Sequence, residues 1–425
     1  MEFQSTKTRS FLQRHGMLPD EMPLPNAVEL FVEDMDRGLS GQGGSMDMIP
    51  TYLSCGAPPV GQRAAVIDAG GTNFRASQVL FTENGPVIER VERTKMPGVS
   101  RPATWEQFMD FSARELAPML DGASGIGFCF SFRAEVTPER DGKVIMMSKG
   151  VELSGYEGRL VCADLLKALE RAGLPQPPAT LVNDTAAVLL SGADLLRSGS
   201  YDSLIGLVCG TGQNSCCVVD RSKIGKLSLE PGPDMLVNLE SGCFDGFVRG
   251  DYDLELDEHS TNPGDHIFEK MTSGAYLGQL CLLTLRGAAR EGLLTNDAAG
   301  KFLLMNELTS DKADRYTSSI AAEREFRSRD ALVISDICRA IFERAARCVC
   351  ANLSAILILT GRGLDEHRPA CVCADGSVIR YSSTFQQELN YYMDSFTRAI
   401  LGRHCVVRSA EDATTLGTAA AALLR

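Results

Sequence analysis

The sequence predicts an α/β protein of two lobes with a cleft between them. Two observations carry this prediction. A strand, a tight glycine–threonine turn and a second strand follow one another twice, once near Asp68 and once near Cys209. Around these hairpins, apolar runs of strand length alternate with stretches of helical period. The repeated order of strands and helices indicates two related units, and we place their boundary at 198–202.

The elements follow in a regular order along the chain. The first part is predicted to contain a helix over 26–39, strands over 63–69, 74–82 and 86–95, and a helix over 104–120. It continues with a strand over 124–132, a helix over 158–172, and a strand over 179–184 that runs directly into another helix. The second part is predicted to contain a hairpin over 203–219, helices over 268–357 with a polar interruption at 308–330, a strand at 405–407 and a C-terminal alanine-rich helix.

The composition is that of a globular protein and excludes several functions. The 425 residues are 44% hydrophobic, and a net charge of −13 argues against binding to nucleic acid or to an anionic membrane. We find neither the apolar core of a secretory signal nor an apolar run of about 18 residues. The 14 cysteines are therefore expected to be free thiols, and the location cytoplasmic. The five scattered histidines predict no histidine-based metal site.

Each glycine turn exposes backbone N–H groups that suit an anion. Glycine lets the backbone approach a phosphate closely, and successive N–H groups form a nest to which threonine adds a hydroxyl donor. Two such turns predict a scaffold that holds a polyphosphate from both sides. Only the first turn follows an acidic residue, Asp68, which is placed to face the phosphates through a divalent cation. The turn residues are Gly70, Gly71, Thr72 and Asn73 in the first copy and Gly210, Thr211 and Gly212 in the second.

Asp184 stands at the carboxyl end of a predicted buried strand, just before a helix. Open α/β sheets bind their ligands at this edge. A carboxylate there can take a proton from a substrate hydroxyl during phosphoryl transfer. The alternative is that Asp184 only caps the helix that follows. The residues alone leave both interpretations open.

Further polar residues interrupt apolar or glycine-rich surroundings. Carboxylates, amides and a lysine suit a polyhydroxylated sugar, because each sugar hydroxyl both donates and accepts hydrogen bonds. For Glu240 and Glu269, taken as two isolated glutamates, solvated charge or helix capping is the simpler explanation. The residues concerned are Ser148, Lys149, Asn214, Glu240 and Glu269.

Over almost its whole length the chain resembles the hexokinase family of the actin-like ATPase superfamily. The matching motifs keep the family's order and spacing, and they lie at 38–52, 68–75, 127–132, 148–150, 181–185, 209–214, 238–244, 268–278 and 374–378. The resemblance implies a two-lobed ribonuclease-H-like fold with a duplicated βββαβα core and a central cleft. It also implies a large lobe at 1–60 and 201–411 and a small lobe at 61–200 and 412–425.

The resemblance implies an ATP-dependent hexokinase, a glycolytic transferase that phosphorylates the 6-hydroxyl of glucose or a related hexose. Asp184 would be the base, and ATP and Mg²⁺ the cofactors, with Asp68 near the metal. The expected assembly is a monomer or homodimer. The implied sugar contacts are Ser131, Ser148, Lys149, Asn183, Asn214, Glu240 and Glu269. The implied nucleotide contacts are the two glycine turns with Asp68, Arg75, Asp375, Gly376, Ser377, Thr414 and Gly417.

Some residues depart from the family pattern. Arg133 stands where the family usually has proline, and Ser241 replaces a common aromatic residue. The segment 411–417 lacks two glycines of its family motif, and its bulkier side chains leave the phosphoryl donor open. Two other functions therefore stay in view. One is a hexose-binding sensor of the same fold that turns over poorly. The other is an actin-like or chaperone-like ATPase, which has no reason to assemble the sugar residues.

Overall fold

The computed structural model describes residues 5–147 and 150–424. Its strands are β1 (Ile49–Pro50), β2 (Arg63–Ala69), β3 (Asn73–Thr82), β4 (Gly85–Lys95), β5 (Ala103–Thr104), β6 (Ala123–Phe130), β7 (Arg133–Val136), β8 (Gly142–Met146), β9 (Leu153–Ser154), β10 (Ala179–Val182), β11 (Ser203–Cys209), β12 (Gln213–Val219), β13 (Met235–Asn238), β14 (Ala370–Asp375) and β15 (Cys405–Ser409). Its α-helices are α1 (Thr6–Arg14), α2 (Leu24–Ser40), α3 (Trp105–Leu116), α4 (Val161–Arg171), α5 (Asp184–Leu190), α6 (Asp251–Glu258), α7 (Ile267–Thr272), α8 (Leu277–Arg290), α9 (Asn296–Leu304), α10 (Ser310–Tyr316), α11 (Ser319–Ala322), α12 (Ser328–Thr360), α13 (Ser377–Tyr381), α14 (Ser383–Tyr392) and α15 (Ala413–Leu423).

Two large sheets repeat one arrangement. The first has the strand order β10-β6-β2-β3-β4, and the second has the order β1-β13-β12-β11-β14-β15. In the first sheet, β2, β3 and β4 are antiparallel, while β6 and β10 extend the sheet in parallel from β2. In the second, β11, β12 and β13 are antiparallel, and β14 and β15 extend it in parallel from β11. This repeat confirms the predicted duplicated α/β fold.

Helices α5 and α15 pack against the two sheets at positions where glycine is required. A Cβ added at Gly206 of β11 would lie 2.5 Å from the carbonyl oxygen of Thr185 in α5. A Cβ added at Gly127 of β6 would lie 2.2 Å from the carbonyl oxygen of Thr418 in α15. One buried cluster contains apolar residues of both sheets and of both helices. The helix that follows the last strand of each sheet therefore lies in the core that joins the sheets.

Two further cores cover the outer faces. In the first sheet, Trp105 and Phe108 of α3 pack with Phe128 of β6. The second sheet is covered by a larger cluster built around the 33-residue helix α12. Among the described helices, none combines the length and the apolar character that crossing a membrane requires. All 14 cysteines lie within the described residues and are free.

The structure departs from the predicted elements in several places. The polar interruption at 308–330 contains the short helices α10 and α11, because Ala313, Tyr316 and Ala322 are buried there. Helix α1 and the β7–β8 hairpin were not predicted. Helix α3 ends at Leu116 because Pro118 in the next turn lacks an N–H donor. The exact lobe boundaries stay a prediction.

Candidate functional site

The first glycine turn joins β2 to β3 after Asp68. The N–H of Gly70 donates to the carbonyl oxygen of Asn73 at 3.1 Å and closes the turn. Thr72 is exposed at its tip, and its carbonyl oxygen accepts a hydrogen bond from the N–H of Met96. Thr72 is thus presented to solvent at the tip, as an anion-binding turn requires.

The second glycine turn is enclosed by two other segments. Gly210 donates to the carbonyl oxygen of Gly212 at 2.9 Å, and its own carbonyl oxygen accepts from the N–H of Gly274 at 2.6 Å. Gly376, with φ of 115°, lies so close that an added Cβ would stand 2.4 Å from the carbonyl oxygen of Cys209. The segment of Asp375, Gly376 and Ser377 therefore meets the second turn, and the structure brings these predicted nucleotide residues together.

Asp184 is the first residue of α5, and Asn183 is its N-cap. The side-chain oxygen of Asn183 accepts from the N–H of Thr185 at 2.9 Å. The hydroxyl of Thr185 donates to Oδ1 of Asp184 at 3.2 Å. The interpretation of Asp184 as the helix cap is therefore wrong, because Asn183 fills that role.

Asp68 and Asp184 lie at the same edge of the first sheet. Their strands β2 and β10 flank β6, on which Cys129 pairs in register with both Asp68 and Val182. Burial raises the pKa of the Cys129 thiol well above its usual range, and the charges of Asp68 and Asp184 raise it further. Ser131 directly follows β6, and its hydroxyl acts in the opposite direction by lowering the pKa of the Cys129 thiol. Three predicted site residues thus surround one buried thiol.

The second sheet contributes an amide–carboxylate cluster. Nδ2 of Asn214 donates to Oδ1 of Asn238 at 3.0 Å and to Oε1 of Glu240 at 3.4 Å. Nδ2 of Asn238 also donates to Oε1 of Glu240. Oδ1 of Asn214 accepts from the N–H groups of Ser215 and Ser241. These bonds fix the carboxylate of Glu240, whose backbone has the uncommon φ of 56°.

Glu269 connects the cluster to the second glycine turn. Its Oε2 accepts from the N–H of Gln213 at 3.0 Å. The same oxygen would lie 2.8 Å from a Cβ added at Gly212. Gly212 therefore leaves room for this carboxylate, which stands between the predicted phosphate turn and the predicted sugar residues.

The two halves of the site interact electrostatically. Burial raises the pKa of Glu240, and the negative charge of Asp184 raises it further. Asp184 belongs to the element that follows the first sheet, while Glu240 follows β13 of the second. The effect of one charge on the other indicates that the two carboxylates lie near each other. Such an arrangement suits a ligand with several hydroxyls that is held on one side and deprotonated on the other.

Arg75 and the C-terminal segment form a separate contact. Nη1 of Arg75 donates to Oδ1 of Asp412 at 2.6 Å and to the hydroxyl of Thr415 at 3.2 Å. Thr414 lies in the same first turn of α15, and its carbonyl oxygen accepts from the hydroxyl of Thr418. Gly417 faces α5 instead, where an added Cβ would stand 1.6 Å from the carbonyl oxygen of Ala187. Its role in nucleotide binding stays a prediction, but helix packing alone explains this glycine.

One site residue and one side-chain cluster were missed, and two predicted residues lie outside the described residues. Asn238 was quoted in a motif but not expected to touch Glu240, since their hydrogen bond depends on the turn after β13. Another cluster brings Cys243, Asp265 and His266 together beside this turn. Cys243 is distant in sequence from the adjacent Asp265 and His266, so no short metal-binding spacing marks the cluster. The predicted sugar residues Ser148 and Lys149 lie outside the described residues.

Comparison with known proteins identifies relatives over nearly the whole chain. Two hexokinase family models match it, one over residues 12–193 and the other over 204–424. The chain is 31% identical to the chloroplastic hexokinase-2 of Nicotiana tabacum, covering 93% of this chain and 87% of that one. It is 29% identical to hexokinase-like 1 protein of Arabidopsis thaliana, again covering 93% and 87%. The fold is similar to that of a Schistosoma mansoni hexokinase complexed with glucose, with a TM-score of 0.75, 22% identity and coverage of 97% and 99%.

Proposed function

This chain belongs to the hexokinase family of sugar phosphotransferases, and from that premise we propose that it transfers the γ-phosphoryl group of ATP to the 6-hydroxyl of a hexose, glucose first. One observation carries the proposal. The charge of Asp184 in one half acts on Glu240 of the Asn214–Asn238–Glu240 cluster in the other half, which supports a common site for the two carboxylates. A base thus faces a set of acceptors for sugar hydroxyls.

The sugar is proposed to bind among the amide and carboxylate groups. Glu240 and Glu269 accept hydrogen bonds from its hydroxyls, while Asn183 and Asn214 both donate and accept. Ser131 adds a hydroxyl beside the base. The network around Glu240 is already formed, so little side-chain freedom is lost when the sugar binds. Ser148 and Lys149 complete the set in this proposal.

Asp184 is proposed to act as the base of the reaction. Its carboxylate takes the proton of the 6-hydroxyl as that oxygen forms a bond to the γ-phosphorus. The bond between the γ-phosphorus and the β–γ bridging oxygen breaks, and ADP leaves. The hydroxyl of Thr185 holds the carboxylate in place at 3.2 Å. The products are the hexose 6-phosphate and ADP.

The nucleotide is proposed to bind as Mg-ATP between the glycine turns. The N–H groups around Thr72 and those of 210–212 suit the phosphates, and Mg²⁺ supplies charge neutralisation near Asp68. Arg75 stands at the C-terminal segment and adds a cation. The Asp375–Ser377 segment is assigned to the adenosine side because Gly376 packs on the second turn.

One observation favours the alternative of a hexose sensor that turns over poorly. Arg75 already has two acceptors, Asp412 and Thr415, in the segment that lacks two glycines of the family motif. An arginine occupied in this way is less available to a phosphate. The sugar residues are intact in either function, so sugar binding alone does not distinguish them.

The deciding experiment measures ADP formation from Mg-ATP with and without glucose. We compare the unaltered protein with Asp184→Ala and with Asp297→Ala, a control at an exposed carboxylate of α9. We expect glucose-dependent ADP formation that the control retains and that Asp184→Ala lowers by about 10²–10⁴-fold.

Three other results would each select a different conclusion. A silent protein that glucose still protects from heat would indicate the sensor. ATP hydrolysis at the same rate without any hexose would indicate an ATPase of another kind. If no common hexose gave activity and none protected the protein from heat, the proposal would be wrong. The cytoplasmic location and the monomeric or homodimeric state stay proposals, which cell fractionation and sedimentation would test.

A further inference from the structure

A cysteine, a histidine and an aspartate meet at the edge of the sugar site. Sγ of Cys243 lies 3.8 Å from Nε2 of His266, and Nδ1 of the same ring lies 2.9 Å from Oδ1 of Asp265. One donor atom from each of the three residues lies within 4.8 Å of the other two. Among the described residues, this is the one group of three or more such side chains that close together.

The spacing of these donors matches a metal site. Bonds of about 2.3 Å to sulfur and about 2.1 Å to nitrogen at a tetrahedral angle put the two donors about 3.6 Å apart. The observed separation of Sγ and Nε2 is 3.8 Å. Oδ1 of Asp265 accepts a hydrogen bond from the backbone N–H of His266 at 2.9 Å, which holds the carboxylate beside the ring. From there Asp265 can turn an oxygen to the metal.

The backbone connects this cluster to both sugar-site glutamates. Cys243 closes the turn that begins at Glu240, since its N–H donates to the carbonyl oxygen of Glu240 at 3.1 Å. His266 is the N-cap of α7, the helix that bears Glu269. Glu240 and His266 both have φ above 50°, a conformation that few side chains adopt without a local reason. An ion held by Cys243 and His266 would therefore tie together the two segments that carry the carboxylates.

The electrostatic surroundings favour a cation. The carboxylates of Glu240, Asp265, Asp47 and Glu269 lie near enough to Cys243 to act on its thiol with their charge. Their negative charge attracts a divalent cation, and a bond from that cation to the sulfur would release the thiol proton to solvent.

We propose that Cys243, His266 and Asp265 form a binding site for Zn²⁺ at the edge of the sugar pocket. Thiolate and imidazole ligands favour zinc over the harder cations Mg²⁺ and Ca²⁺. Water completes the four ligands, since three come from the protein. The site is distinct from the nucleotide-bound Mg²⁺ of the proposed reaction, because its donors are sulfur and nitrogen.

The bound ion regulates sugar binding, an effect that rests on the proposed function. Its charge weakens Glu240 as a hydrogen-bond acceptor, and its bonds hold the segments of Glu240 and Glu269 at a fixed separation. We expect bound Zn²⁺ to raise the dissociation constant for glucose about fivefold or more. The effect on kcat at saturating glucose is expected to be smaller, because Asp184 is not a ligand of the ion.

The test begins with direct metal binding to the chelator-treated full chain. Zn²⁺ is titrated by calorimetry, and Co²⁺ by its absorption, since a cobalt–thiolate bond gives a strong near-ultraviolet band. The variants are Cys243→Ser and His266→Gln. The matched controls are Cys405→Ser, another partly buried cysteine, and His259→Gln, an exposed histidine. Glucose binding is then measured by calorimetry with and without Zn²⁺.

We expect one ion per chain, a cobalt–thiolate band, and loss of both in the two site variants but in neither control. The proposed site would be overturned if Zn²⁺ did not bind stoichiometrically, or if Cys243→Ser left the binding unchanged. Equal glucose affinity with and without Zn²⁺ would overturn the regulatory effect. The metal titration needs no catalytic activity, so a failure of the proposed hexokinase function would not be mistaken for a failure of the site.

Discussion

Asp184 and Glu240 follow strands of different sheets, yet the charge of Asp184 helps to raise the pKa of Glu240. Among the causes of that raised pKa, only burial has a larger effect. In the proposed reaction one carboxylate moves a proton and the other binds the sugar. We therefore expect Asp184→Asn to lose activity while glucose still protects the protein from heat. Glu240→Gln is expected to raise the KM for glucose about 10- to 100-fold and to lose most of that protection.

Thermal unfolding with increasing glucose measures this difference directly. The two substitutions are matched, because each replaces one carboxylate oxygen by an amide nitrogen. Equal loss of glucose protection in both variants would contradict the separate roles of base and sugar ligand.

Gly417 determines how closely α15 approaches α5, the helix that begins at Asp184. A Cβ at this position would stand 1.6 Å from the carbonyl oxygen of Ala187, so Gly417→Ala must push the helices apart. We expect a loss of about 3 kcal/mol in the free energy of unfolding and a lower kcat, measured by denaturant titration and steady-state kinetics.

Gly300 of α9 is the matched control for this substitution. A Cβ there meets no atom within 4 Å, so Gly300→Ala should stabilise the protein by about 0.5–1 kcal/mol through helix propensity. Unchanged stability in Gly417→Ala would mean that the contact between the helices is looser than described.

Arg75 is expected to act on the nucleotide and not on the sugar. Its hydrogen bonds to Asp412 and Thr415 place it at the C-terminal segment, and neither partner belongs to the Glu240 cluster. Arg75→Met should raise the KM for ATP about tenfold with little change in the KM for glucose. Asp412→Asn should lower the KM for ATP, because it releases the guanidinium toward a phosphate. Equal increases in both KM values for Arg75→Met would indicate a structural role.

The sequence predicted the parts of the site that depend on local pattern. The glycine turns at 70–73 and 210–212 and the strand leading into Asp184 lie where expected, because turns and strand ends have short-range signals. Whether Asp184 caps α5 or acts as a base was left open. The backbone angles and hydrogen bonds assign the cap to Asn183, and the local sequence does not show this because both residue types are good caps.

Other features depend on contacts between distant parts of the chain. Helix α1 has few apolar residues to show a period, and it is held by a cap at Ser5 and by the hydrogen bond from the N–H of Ser5 to Asp336. The contact of Cys243 with His266 requires the turn after Glu240 and the start of α7 to be adjacent. No local periodicity of apolar residues in the sequence predicts either contact.

Asp34 of α2 is buried and holds the loop that follows the helix. Its carboxylate accepts hydrogen bonds from Nη2 of Arg37 at 2.7 Å, from the N–H and hydroxyl of Ser45 at 3.0 and 2.9 Å, and from the N–H of Met46 at 2.9 Å. Burial alone would raise the pKa of Asp34, but these hydrogen bonds outweigh it and hold the pKa below its ordinary value.

A lowered pKa in the folded state means that the charged carboxylate stabilises the fold. This contribution is present above the pKa of the unfolded chain and is lost as the pH falls through the lower pKa of the folded state. Asp34→Asn should therefore cost about 3 kcal/mol near neutral pH, because an amide nitrogen then faces backbone donors, and the cost should shrink toward acid. Urea unfolding across that range measures the difference, with the exposed Asp36→Asn as control. A cost that is the same at every pH would show that packing, and not the charge of Asp34, holds the loop.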